Sequence, residues 1–142
     1  MIVVVIIGLL AALAIPAFQR IQRASQNSRV INDWRVFSQA FEIYNTQNGC
    51  WPNNVGPGVI PSAPFPMAGD FKADTRQATT AIGGRWNWDA GLSGITAGVS
   101  ISGFICDTTQ LTEIDVKVDD GDLTTGNFQL VQPNRVMLIL ER

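Results

Sequence analysis

Asp119, Asp120 and Asp122, followed closely by the hydroxyls of Thr124 and Thr125, place hard oxygen donors within one short turn. Calcium takes about six to eight such oxygens, so this turn is a candidate cation site, with Asp119, Asp120 and Asp122 as its ligands. Their spacing is not that of an EF-hand, and a solvated acidic turn without metal is the competing reading. Cys50 and Cys106 are the other reactive pair. Each falls at the edge of an expected element, and two cysteines in an exported domain tend to be joined. A bridge would close a loop of about 57 residues and add roughly 4 kcal/mol by restricting the unfolded chain. Two separate thiols are the alternative. The chain has no histidine, which removes the commonest general base and the commonest metal ligand. No catalytic constellation remains to nominate, and an enzyme is not expected. A net charge of −2 gives no field for nucleic acid. Trp51, Trp86 and Trp88 could stack a ligand, although a tryptophan pair on one strand more often belongs to a core.

The elements that must position these groups begin with an uncharged run, Met1 to Phe18, reading MIVVVIIGLLAALAIPAF. As a helix it spans about 27 Å, close to the thickness of a bilayer's hydrocarbon core. A lasting anchor, a cleaved signal and a buried core helix all fit such a run. Ala12-Leu13-Ala14 resembles a signal cleavage site, but no basic region precedes the run, and too little chain follows to surround it as a core helix. The anchor is the expected reading. Arg20, Arg23, Arg29 and Arg35 follow it, and charge bias alone would place them in the cytoplasm.

The same stretch, with Gly8, Ala11, Ala12, Ala14 and Ile15-Pro16-Ala17, resembles the mature amino-terminal helix of type IV pilins and type II secretion pseudopilins. In that family a basic leader is removed by a prepilin peptidase just ahead of a short phenylalanine-led stretch containing a glutamate. Such a leader upstream of Met1 would remove the conflict over orientation. The resemblance implies a methylated amino terminus after processing and a subunit held first in the bacterial inner membrane as a single-pass protein. Its globular domain would be periplasmic. Ile2, Val5, Gly8, Leu9, Ala12 and Pro16 are then the expected membrane and helix-to-helix assembly residues. Small side chains allow close helix approach, and Pro16 cannot bond back to the Ala12 carbonyl, which loosens that turn. Major pseudopilins bind calcium in a carboxy-terminal loop whose spacing the turn at Asp119 does not match.

Beyond Phe18 the helix turns amphipathic. Ile31, Trp34, Phe37, Phe41 and Tyr44 form one stripe, with Arg35, Gln39 and Glu42 away from it. Asn48-Gly49 should end the helix and Pro52 should prevent its resumption. The expected divisions are 1–18 as membrane or filament-core half-helix, 19–48 as amphipathic half-helix, 49–84 as a proline-rich connecting loop, and 85–142 as a sheet region; residues 19–142 form one globular domain. Trp86 and Trp88 share one face of a first strand, and Val99 to Phe104 gives a second. Asp107, with Gln110 three residues on, should cap a short helix near 108–119. Asn127 to Val131 and Val136 to Leu140 then make a hairpin whose last strand is central. The GGRWNWD and DDGDLTTG stretches also look like parts of certain prepilin-type proteins.

The fold expected is α+β and pilin-like: a long amino-terminal helix whose amphipathic half packs on a small antiparallel sheet. The function expected is a structural subunit of a pilus-like filament, in first place a type II secretion pseudopilin that polymerises from the membrane. A pilin of a surface fibre and an exported or anchored soluble binding module are the alternatives. Implied partners are further copies of the chain, other pilin-like subunits, membrane lipid and an assembly platform.

Overall fold

A computed structural model describes residues 1–67, 73–92 and 94–142. One helix, α1 (Ile2–Asn48), dominates it. Forty-seven residues at 1.5 Å each make a rod about 70 Å long. It runs through Pro16 without interruption and stops where expected: Gly49 has φ 70°, and its N–H donates to the Asn45 carbonyl at 2.8 Å. A left-handed residue at this point costs glycine nothing, which is why the rod ends here.

The rod has two environments. Each large apolar side chain from Met1 to Ile21 keeps at least half of its surface exposed, the lowest being Ile6 at 50%. From Asn27 onward Val30, Ile31, Trp34, Phe37, Phe41 and Tyr44 are buried at the expected spacings of three and four. They lie on an antiparallel sheet of β1 (Gly83–Ala90), β2 (Ala97–Phe104), β3 (Phe128–Gln132) and β4 (Arg135–Glu141), in the order β1-β2-β4-β3. The apolar last strand is interior, as its sequence demands. Between β2 and β3 the chain forms α3 (Thr108–Val118), which carries it to the far edge before the hairpin returns β4 to the middle.

Register aligns the core. Trp86 stands opposite Ile101 and Trp88 opposite Val99, while Ile101 faces Val136 and Phe128 faces Leu138. Trp34 seats itself in this row, edge-on to Trp86 at 5.2 Å and to Phe128 at 5.0 Å. Its indole N–H donates to the Val99 carbonyl at 2.9 Å. Phe41 stacks on Trp88 at 3.9 Å. Aromatic edges and faces thus join rod to sheet, each pair adding about 0.5–1.5 kcal/mol beyond the area it buries.

Three expectations need adjustment. The region 49–84 is not all loop: α2 (Ala73–Gln77) interrupts it, and β1 begins at Gly83. Residues 68–72 of that region lie outside the described residues. The face of β1 opposite the tryptophans is also more covered than its polarity suggests. Asn87 and Asp89 are both buried, and Asp89 accepts hydrogen bonds from Asn87, Ser100 and, at 3.0 Å, Arg135. Ile95, Met137 and Ile139 form a second small apolar cluster. Finally, the turn between β3 and β4 is Pro133-Asn134, two residues shorter than the gap 132–135 between the expected strands.

Candidate functional site

The first candidate surface is the projecting half of α1. Ile2, Val5 and Leu9 are exposed at 76%, 62% and 63%, and Gly8, Ala12 and Pro16 are exposed beside them. An added Cβ at Gly8 would meet nothing within 4 Å in the single chain, so the fold of one subunit does not require glycine there. Burying a side chain of this class is worth about 1.5–3 kcal/mol, and thirteen large apolar residues are exposed between Met1 and Ile21. The apolar transfer free energy left unrealised is therefore on the order of 20 kcal/mol. Lipid or packed protein over this half-helix would recover that free energy. Its length and composition suffice to cross a membrane.

Where α1 meets the globular domain the contacts become polar. Arg23 pairs with Asp107 at 2.7 Å, and Gln110 donates to Gln26 and Asn27 at 3.2 and 2.9 Å. Asp107 also caps α3, accepting the Gln110 backbone N–H at 2.8 Å. That bond, with the Arg23 guanidinium, holds the Asp107 carboxyl below the usual range. The Asp107–Gln110 motif was legible in the sequence, although the Gln110 side chain turns to α1 rather than back to its own cap.

The acidic turn is built differently from its sequence reading. Asp122 turns inward on its own loop, its Oδ1 accepting the Thr124 N–H and hydroxyl at 3.0 and 2.7 Å. Asp120 takes the Asp122 N–H at 2.9 Å and the Thr125 hydroxyl at 2.7 Å. Asp119 accepts the N–H groups of Asn127 and Phe128, tying the end of α3 to the start of β3. The carboxylates that converge are Asp115, Asp119 and Asp120, with one oxygen of each within 4.8 Å of the others. Asp115 went unnoticed because it lies on the helix, one turn before Asp119, among alternating apolar residues. Asp115 and Asp119 are neighbours only if α3 runs that far. Asp115 is fully buried, and neither of its oxygens has a hydrogen-bond partner among the described residues. Burial raises its pKa; the Gly121 N–H opposes this without reaching hydrogen-bond geometry, and Asp120, Asp119 and Asp122 raise it further.

The expected cysteine bridge is not present: Cys50 and Cys106 are free thiols. Cys106 lines a small cleft with Gln26 of α1, whereas Cys50 follows the Gly49 cap at the other end of the buried half-helix. From Gln26 to Gly49 the rod rises about 34 Å, while a disulfide needs Cα atoms within about 7 Å. Burial pushes the Cys106 thiol up to about 11. The tryptophans do not form a binding face either. Trp86 and Trp88 are buried in the core, and half-buried Trp51 donates its indole N–H to Glu141.

No family model and no curated protein matches the sequence. A solved structure does match in three dimensions: the major type IV pilin PilA1 from Clostridium difficile. The TM-score is 0.60 at 12% identity, over 87% of this chain and 98% of that one. The chain has the type IV pilin fold. Its rod and four-stranded sheet are the two defining parts, and the resemblance seen in the first twenty residues extends, at the level of fold, across the globular domain.

Proposed function

We propose that the chain is a structural subunit of a type IV pilus-like filament, held in the bacterial inner membrane by the apolar half of α1 and drawn from it as the helices bundle. The observation that carries this reading is the rod's division at residues 22–27: apolar and uncovered on one side, seated on the sheet on the other. In such an exchange lipid contacts are replaced by helix packing, never by water, so the half-helix stays covered throughout. Ile2, Val5, Gly8, Leu9, Ala12 and Pro16 supply the surface, and copies of this chain or other pilin-like subunits supply its cover. A prepilin peptidase acting on a longer precursor, a methylated terminus and a periplasmic globular domain belong to the same reading.

Within that class we place the chain first with the pseudopilins of type II secretion, since Cys50 and Cys106 are separate thiols that bound no loop. A surface fibre is the second reading, favoured by the likeness to a major pilin over 98% of that protein. A photo-crosslinker at Leu9 in the cell-borne protein tests the common part. Capture of further copies of the chain or of other pilin-like subunits during assembly is expected, and capture of lipid alone at every stage would refute it. Immunogold labelling of intact cells separates the two finer readings, as only a surface fibre is labelled.

A further inference from the structure

We infer that the cleft between α1 and α3 is a lipid site: Arg20 and Arg23 take the phosphate of a membrane phospholipid, and Glu113 takes the ammonium of an ethanolamine headgroup. The inference rests on the membrane reading of the apolar half-helix. The cleft starts where that half-helix ends, with Pro16, Arg20, Arg23 and Asn27 on one side and Glu113 and Val116 of α3 on the other. Its volume is about 610 Å³, within the range of about 300–1,000 Å³ usual for small-ligand clefts.

The first observation is level. The uncharged run ends at Phe18, and at 1.5 Å per residue Arg20 stands about 3 Å and Arg23 about 7.5 Å beyond it along the rod. A bilayer's headgroup layer is about 5–7 Å thick on each side of its hydrocarbon core. With the run filling the core, both arginines lie among the phosphates. Val116 is 65% exposed and, with Pro16, gives the cleft apolar surface for the glycerol and first acyl carbons.

The second observation is the order of charge along the cleft. Arg20 and Arg23 are three residues apart and so neighbours on one helix face, and Asn27 continues the same column one turn further out. There the Asn27 amide donates to Glu113 Oε2 at 3.0 Å, which fixes the carboxylate at that level. From the bilayer outward the order is cation, cation, carboxylate, and a zwitterionic headgroup presents phosphate and then ammonium in the same direction. These charges are also unspent. Among the described residues neither Arg20 nor Glu113 belongs to an ion pair, and Glu113 is not paired even with Lys117, four residues on along α3. Arg23 gives Nη2 to Asp107 at 2.7 Å, and a guanidinium has further N–H groups to offer. A headgroup without a positive end would leave Glu113 facing phosphate alone.

Native mass spectrometry of the full chain, released from detergent micelles holding equal amounts of phosphatidylethanolamine and phosphatidylglycerol, reads which lipid each molecule retains. One phosphatidylethanolamine should be kept in about threefold preference, as for an exposed ion pair. Arg20→Gln should weaken retention of both lipids about fivefold, the typical effect of one basic group at a membrane surface. Glu113→Gln should abolish the preference while phosphatidylglycerol stays bound. Both side chains are exposed, so neither change threatens the fold. Equal retention of the two lipids by the parent, or of either lipid by parent and Arg20→Gln, overturns the site. So does displacement of the lipid by inorganic phosphate, which would mark a site for free phosphate. Flotation with phosphatidylcholine vesicles separates the lipid site from the membrane reading, since parent and both variants should float alike. A parent that does not float ends the membrane reading and this inference together, whereas a floating parent without lipid preference ends the lipid site alone.

Discussion

Replacing Trp34 by alanine tests how the rod is fastened to the sheet. Trp34 is 1% exposed, meets Trp86 and Phe128 edge-on, and donates its indole N–H to a carbonyl of the central strand β2. Truncating a large buried aromatic costs about 3–5 kcal/mol, and leaving a buried carbonyl without its donor adds about 1–3 kcal/mol. Both effects coincide at one site and are not fully additive, so a loss of about 5 kcal/mol is expected. That approaches the whole stability of a small domain. Trp34→Phe keeps most of the packing and loses the hydrogen bond, and should cost about 1–3 kcal/mol. Urea unfolding of the detergent-held chain, followed by the emission of Trp51, Trp86 and Trp88, measures both. A loss below about 1.5 kcal/mol for Trp34→Ala, or equal losses for the two variants, would refute this account of the junction.

Arg135→Ala should destabilise by about 2–4 kcal/mol, since it removes the guanidinium paired with buried Asp89 and leaves that carboxylate only its Asn87 and Ser100 hydrogen bonds and the more distant Arg76 charge, and Arg135→Lys should restore part of that in the same unfolding assay. Gly84→Ala should lower the melting temperature sharply, because a Cβ at φ 74° would meet the Ser102 carbonyl oxygen at 2.5 Å, and Gly49→Ala, with open space around it, should be milder. The lowered pKa of Asp107 fixes a sign. Its contribution is present above the unfolded carboxylate value of about 3.9 and is lost as pH falls through the lower folded value. Stability against pH for Asp107→Asn should therefore converge with the parent's in strong acid and fall below it at neutral pH. Alkylation under denaturing, non-reducing conditions should label both Cys50 and Cys106, with mass spectrometry counting the adducts.

What the sequence revealed followed from periodicity and from residues with narrow conformational roles. The stripe from Ile31 to Tyr44, the stop at Gly49, the cap at Asp107 and the interior last strand are each dictated locally, and each is where it was expected. What escaped depends on distance across the fold. Cys50 and Cys106 looked like partners because both flank elements, yet only the length of α1 reveals how far apart they lie. Asp115 was hidden because its neighbours along the chain are not its neighbours in space. Asp122 drew attention by sitting in an acidic run and then spends its oxygen on Thr124. The burial of Asn87 and Asp89 likewise had no sequence signal, since alternation along β1 says which residues share a face and not whether that face is covered.

The central claim is that the front half of α1 is always covered, first by lipid and then by other subunits. Sedimentation of the full-length chain as detergent is withdrawn, with and without lipid vesicles present, tests it most directly. The account predicts that the chain floats with the vesicles when they are offered and otherwise assembles into fibres visible by negative stain. A single 15.4 kDa species that stays monomeric in plain buffer and ignores the vesicles would contradict it.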